Sequence, residues 1–281
     1  MSIILALVLQ VGPFTGADPR PVSPVPLELR NRTRREAAPP PSPLLPAAPL
    51  PLSERLRTCL VEANTAPANA LNTANGWRAG RFGADAAPAL LCMGTAQANL
   101  QLWEEAETSF IAARDGLPVA NGPGRAGLGA MAGNAALAAG AHARALGLLD
   151  AAQAEAGEDK ALVATIALDR ARALVALKRD GEAAEALAMA RKAAPADAEG
   201  WLLSATLARR GGNLAEAQGH IEEASRLSPL DPEVGLEAGV IAMLAGREAA
   251  ARRSWQSVIA MAPESDAAKT AKGYIAQLEA P

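Results

Sequence analysis

Three prolines, Pro195, Pro229 and Pro263, stand 34 residues apart, and each closes a stretch that reads as helix. Proline removes a backbone donor and disfavours helical geometry in the residue before it, so a fixed proline spacing marks the end of a repeated unit. With each proline as position 32, the units run 164–197, 198–231 and 232–265. The register continues upstream as 126–159, where Gly157 replaces the proline, and as 87–120, where Pro118 restores it. Short insertions, 121–125 and 160–163, part the earlier units. A 34-residue unit cannot bury an apolar face alone, so the period predicts stacked neighbours.

The columns of this register agree in size. Position 8 is small throughout: Gly94, Gly133, Ala171, Ala205 and Gly239. Position 20 is alanine each time, at Ala106, Ala145, Ala183, Ala217 and Ala251. Alanine supplies 69 of the 281 residues, so such a column would arise by chance about once in a thousand trials. Position 27 holds Ala113, Ala152, Ala190, Ala224 and Val258, and position 24 holds Phe110, Leu149, Leu187, Ile221 and Trp255. Antiparallel helices approach closely only where the facing residues lack bulk, so positions 8 and 20 mark a crossing, and the large position 24 fills the space beside it. Gly140, Gly212 and Gly246 at position 15 suit the left-handed residue that ends a first helix. With 3% aromatic residues and this much alanine, closely packed helices are favoured over a sheet core. The predicted fold is all-α: antiparallel helix pairs stacked into an α-solenoid.

On these columns the chain resembles the tetratricopeptide repeat family. The clearest unit contains LLCMGTAQANLQLWEEAETSFIAAR, with Gly94, Trp103, Ala106, Phe110 and Ala113 at family positions, and the unit at 198 adds Trp201 at position 4. The unit at 164 departs most, with Lys178 in place of the turn glycine and Arg170 at the usually buried position 7. The resemblance spans 87–265 and implies a superhelix whose groove, lined by first-helix positions 2, 5, 9, 12 and 13, holds an extended peptide or a partner's helix. Asn99, Asn134, Arg172, Arg209 and Arg210 fall at such positions and would suit an acidic peptide. The plainer reading has Arg172 and Arg209 solvating an open surface. Leu91 and Leu168 occupy position 5, where members that clamp a peptide carboxylate carry lysine. A truncated leading pair over 53–86 and a capping helix over 266–281 complete the array. Asp266 would cap that last helix, and Tyr274, Ile275 and Leu278 would cover the last unit.

The first 52 residues differ in kind. An apolar stretch at 3–9, followed by the small residues Thr15, Gly16 and Ala17, makes 1–17 read as a bacterial export signal, although no Lys or Arg precedes the apolar core. It is too short to span a bilayer, and no other segment has the apolar length for one, so no membrane span is expected in the mature chain. Eleven of the twenty-one prolines lie in 19–51, so 18–52 reads as a disordered linker. Its Arg30, Arg32, Arg34 and Arg35 could meet an anionic surface or simply keep the linker solvated. Export implies the periplasm or beyond. A Cys59–Cys92 bridge tying the leading pair to the first unit would then stabilise by roughly 3 kcal/mol. Without export the chain is cytoplasmic and both cysteines are small buried hydrophobes.

With 27 basic and 30 acidic side chains the chain lacks the positive field that nucleic acid binding needs. His142 and His220 lie in different units with no repeated Cys or carboxylate spacing around them, so no metal centre is read. Gly122, Gly124, Gly127 and Gly129 precede no lysine and read as an inter-repeat loop, not a phosphate cradle. Glu104 with Glu105, and Glu222 with Glu223, lie on solvated faces where carboxylate pKa values are not tuned for catalysis. No catalytic residue, metal or cofactor is therefore predicted. The chain reads as a non-catalytic adaptor for a peptide or partner helix in the bacterial envelope. The alternative is a regulatory or substrate-presenting subunit of an envelope polysaccharide or peptidoglycan enzyme assembly.

Overall fold

The computed structural model describes residue 50 and residues 52–279. Among these are thirteen helices and no strand: α1 (Glu54–Thr65), α2 (Pro67–Arg78), α3 (Gly83–Asn99), α4 (Trp103–Gly116), α5 (Gly122–Ala138), α6 (His142–Glu155), α7 (Lys160–Ala176), α8 (Asp180–Ala193), α9 (Ala198–Arg210), α10 (Leu214–Leu227), α11 (Pro232–Leu244), α12 (Glu248–Met261) and α13 (Asp266–Glu279). The export signal at 1–17 and the linker up to residue 49 lie outside the described residues. Leu50, assigned by sequence to that linker, is buried in the core cluster that includes Leu56 and Cys59.

The described residues form two compact units, one up to Ser204 and one from Ala205. In the first, α3 pairs with α4, α5 with α6 and α7 with α8, and each pair packs on the next, while α1 and α2 lean on α3. In the second, α11 pairs with α12, α10 packs on α11, and α13 covers both α11 and α12.

The turn inside each pair has one backbone form whatever its residue. Gln101, Gly140, Lys178, Gly212 and Gly246 all take φ between 60° and 80°. At Lys178 the N–H donates to the Val175 carbonyl, and the Arg179 N–H donates to Leu174. Gly212 and Asn213 make the same two bonds to Arg209 and Ala208. The unit at 164 therefore keeps the turn despite its lysine, at a cost of roughly 1 kcal/mol for a side chain in left-handed geometry.

Three helix starts differ from the sequence reading, the first being α3, which opens at Gly83 inside the stretch 53–86 assigned to the leading pair. Residues 122–125 and 160–163 are the opening turns of α5 and α7, not separating insertions. Asn121 Oδ1 accepts from the Gly124 N–H at 3.2 Å, and Asp159 Oδ1 from the Leu162 N–H at 3.0 Å. The glycines of that stretch are thus helical rather than loop, and two have a packing role. A methyl at Gly122 would stand 2.9 Å from the Glu155 carbonyl oxygen, and one at Gly129 would stand 3.2 Å from the Ala152 methyl. On α13 the cap is Ser265, whose Oγ accepts from the Ala268 N–H at 3.1 Å; Asp266 is already helical and pairs with Lys269.

The column chemistry is visible in the packing. A methyl on Gly94 would lie 2.6 Å from the Phe110 ring, one on Gly133 2.6 Å from Leu149, and one on Gly239 would overlap the Trp255 indole. Trp255 is also held by its Nε1, which donates to the Leu236 carbonyl at 3.2 Å. Positions 4 and 27 form a second facing pair that the columns had not exposed: a methyl on Gly235 would lie 2.6 Å from Val258. All five position-20 alanines are fully buried. At the end of the chain Tyr274 lies against Trp255, with ring centroids 5.1 Å apart, and Ile275 and Leu278 join the same cluster.

Gly239→Ala is expected to destabilise by about 1–3 kcal/mol, because the indole is doubly fixed and cannot yield. Gly147→Ala, on α6 with open space around the added methyl, should stabilise by about 0.5–1 kcal/mol. Urea melts followed by circular dichroism separate the two; equal shifts would remove the crossing argument.

Candidate partner-binding face

First helices of neighbouring pairs lie side by side, α1 with α3, α5 with α7 and α11 with α13. Links cross several of these seams. Between α1 and α3, the buried Cys59 and Cys92 form a disulfide with sulfurs 1.92 Å apart. Asn99 Nδ2 donates across the same seam to the Ala63 carbonyl at 2.9 Å and to Asn64 Oδ1 at 3.2 Å. Asn99 thus holds the end of α1.

Asn134, Arg172 and two carboxylates converge further along. Asp169 on α7 is only 4% exposed. Its Oδ1 accepts from Arg172 Nη1 at 2.5 Å, the Asn134 amide faces it from α5, and its Oδ2 has no hydrogen-bond partner among the described residues. The other terminal nitrogen of Arg172 pairs with Glu199 in the first turn of α9. Burial pushes the Asp169 carboxyl above its ordinary 3.8, opposed by Arg172 and by Asn134 and reinforced by Glu199. Arg172 and Glu199 stay open to solvent, with side chains 40% and 49% exposed.

In the unit beginning at Ala205, Arg209 Nε pairs with Glu237 Oε1 at 2.6 Å, and both side chains are largely buried. Arg210 is exposed and has no side-chain partner among the described residues. The five sequence-assigned positions therefore divide: Asn134 and Arg172 meet on one carboxylate, Asn99 binds back to α1, Arg209 is ion-paired, and Arg210 faces water. Leu91 and Leu168 at position 5 are buried.

Sequence reasoning passed over Asp169, Glu199 and Glu237. A signal existed, because Cys92, Asp169 and Glu237 share position 6, and each is linked to a first-helix residue: Cys59, Arg172 and Arg209. Arg170, expected at a buried position, turns toward α6 and pairs with Asp150 at 2.7 Å. The tryptophans serve packing and cation contacts: Arg55 lies 4.6 Å from the Trp77 ring, and Arg191 lies 5.2 Å from that of Trp201. Among the described residues no helix is long and apolar enough to cross a membrane, and no group of three or more His, Cys, Asp or Glu is placed to hold a metal.

Since the folded pKa of Asp169 lies above its unfolded value, the folded state binds the proton more tightly, and stability tied to this group falls as pH rises from 3.8 through the raised value. Asp169→Asn should therefore flatten that part of the pH–stability curve and cost nothing at pH 7. Arg172→Ala should lose about 1–3 kcal/mol by leaving a buried carboxylate uncompensated. The double variant should recover most of it. Thermal melts across pH check all three; Asp169→Asn as damaging as Arg172→Ala would refute the reading.

No family model matches the sequence, and no curated protein matches it. Solved structures do. PilW, a widely conserved type IV pilus biogenesis factor, superposes with a TM-score of 0.63 at 15% identity, over 77% of this chain and 96% of its own. A thermophilic TPR protein in Thermus thermophilus gives 0.53 at 18% identity, over 67% and 98%. MamA from residue 41 onward, of Desulfovibrio magneticus RS-1, gives 0.52 at 17% identity, over 64% and 97%. At such identities the likeness speaks to architecture alone: the chain has the all-α solenoid fold of tetratricopeptide repeat proteins.

Proposed function

We propose that this protein is a non-catalytic scaffold that receives an extended peptide or a partner's helix on the face built by its first helices. The observation carrying this reading is the meeting of Asn134 and Arg172, from separate pairs, on the buried Asp169 carboxylate, with both of those side chains themselves open to solvent. Such a face offers amide and charged groups in an ordered row to a chain lying across several pairs. Photo-crosslinking tests it. A benzophenone amino acid at position 134 should capture a partner band that the same group at Met189, exposed on α8, does not capture. Equal capture from both positions, or none from 134, would defeat the proposal.

We further propose that the protein works in the periplasm or a similar exported compartment. Two features support this: the apolar stretch with small residues at 1–17 and a disulfide that engages both cysteines of the chain. Alkylation without reductant, followed by mass spectrometry of protein from its native cell, should find no free thiol and an N-terminus beyond residue 17. Two alkylated cysteines with Met1 retained would place it in the cytoplasm.

A further inference from the structure

We propose that the leading pair docks on the surface of an anionic lipid bilayer, through guanidinium groups of α1 and α2 and two apolar side chains on the loops beside them. This proposal does not depend on the scaffold reading.

Trp77 gathers the charge. Arg55 of α1 lies 4.6 Å from its ring, and Arg81, just past the end of α2, donates to its carbonyl oxygen. Arg78 is the next residue along α2, and Arg57 Nη2 reaches back to the Leu52 carbonyl at 3.4 Å, at the start of α1. All four arginines are exposed, and none pairs with a carboxylate among the described residues. Farther along, Arg125, Arg144, Arg170 and Arg209 are each paired with a carboxylate of another helix. Glu54 and Asp85, also exposed, offset only part of the charge at the front. The chain as a whole is polarised in the same sense: residues 18–82 hold nine Arg against five Asp and Glu, and residues 83–281 hold 18 Lys and Arg against 25 Asp and Glu. Arg30, Arg32, Arg34 and Arg35, which the scaffold reading leaves unused, add charge of the same sign to the segment that leads into α1.

Apolar groups stand beside these cations. Phe82 follows Arg81 and is 84% exposed, and Val119, between α4 and α5, is equally exposed. Their two loops touch, since a methyl on Gly116 would stand 2.6 Å from the Gly83 carbonyl oxygen. A ring and an isopropyl group held in water beside guanidiniums without counter-ions have two solvation demands that one partner must meet. The interfacial layer of a bilayer meets both, because its phosphates take the arginines while it yields to protruding apolar groups. Nucleic acid offers the phosphates without an apolar layer for Val119, and the acidic remainder of the chain repels it.

Co-sedimentation of the full chain with vesicles tests this, using phosphatidylcholine alone or mixed in equal parts with phosphatidylglycerol. The anionic vesicles should bind about tenfold or more tightly than the neutral ones, and high salt should release the protein. Arg78→Gln with Arg81→Gln should weaken that binding about tenfold or more, and Phe82→Ser with Val119→Ser about fivefold or more. Leu230→Ser, which removes a side chain 74% exposed on a loop of the unit beginning at Ala205, should leave it within twofold. Thermal melts confirm that each variant is folded. Binding to neither vesicle, equal binding to both, no loss with the arginine pair, or a Leu230→Ser effect equal to that of the Phe82 and Val119 pair would each overturn the proposal. Loss with the arginine pair while the apolar pair changes nothing would assign the surface to an acidic polypeptide and overturn the lipid reading as well.

Discussion

Close approach of two helices at a methyl-sized crossing is the constraint from which the remaining structure follows. Opposite Phe110, Leu149 and Trp255 at position 24, position 8 has no side chain at all. Where position 24 is Leu187 or Ile221, an alanine stands at position 8. The same trade recurs at positions 4 and 27, with Gly235 against Val258. A chain with this little aromatic content reaches native packing density by bringing backbones together rather than by filling space with large side chains. That closeness also lets one pair seat on the next, and it brings residues of α5, α7 and α9 within reach of one carboxylate.

The fold was legible because its signals are steric and repeated. A period of 34, a small column and a large column survive the loss of any one residue, so the array could be recognised through its weakest unit. Lys178 shows why residue identity was the poorer guide there. The left-handed turn is held by two closing hydrogen bonds to Val175 and Leu174, and these outweigh the strain of a side chain in that geometry. Helix starts were less legible. Four or five extra residues before a unit read equally well as a loop or as another helical turn. Only the packing of Gly122 and Gly129 against α6 shows that the glycines at the start of α5 permit close contact.

The candidate site was half legible for a different reason. Position within a helix fixes which face a residue occupies, so Asn134 and Arg172 could be assigned together. Which residue of the next helix meets them depends on the rotation and offset between helices, and no single helix encodes that. Asp169 is nearly inaccessible, although nothing in the sequence of α7 sets it apart from the other charged residues of that helix. Asn134 of α5 and Glu199 of α9 act on it from outside its own helix, and the periodicity of α7 alone gives no warning of them.

The diversity of the seams bears on why five similar units keep a single order. Alanine and glycine columns are interchangeable from unit to unit, so packing alone would tolerate a unit meeting the wrong neighbour. The polar links are not interchangeable: a disulfide joins α1 to α3, the Asn134 amide faces Asp169, and Arg172 pairs with Glu199. Misplacing α7 would bury Asp169 without Arg172's second partner or the Asn134 amide, and an uncompensated buried carboxylate costs far more than a poorly matched methyl. The groups that make the face chemically distinctive thus also oppose misassembly.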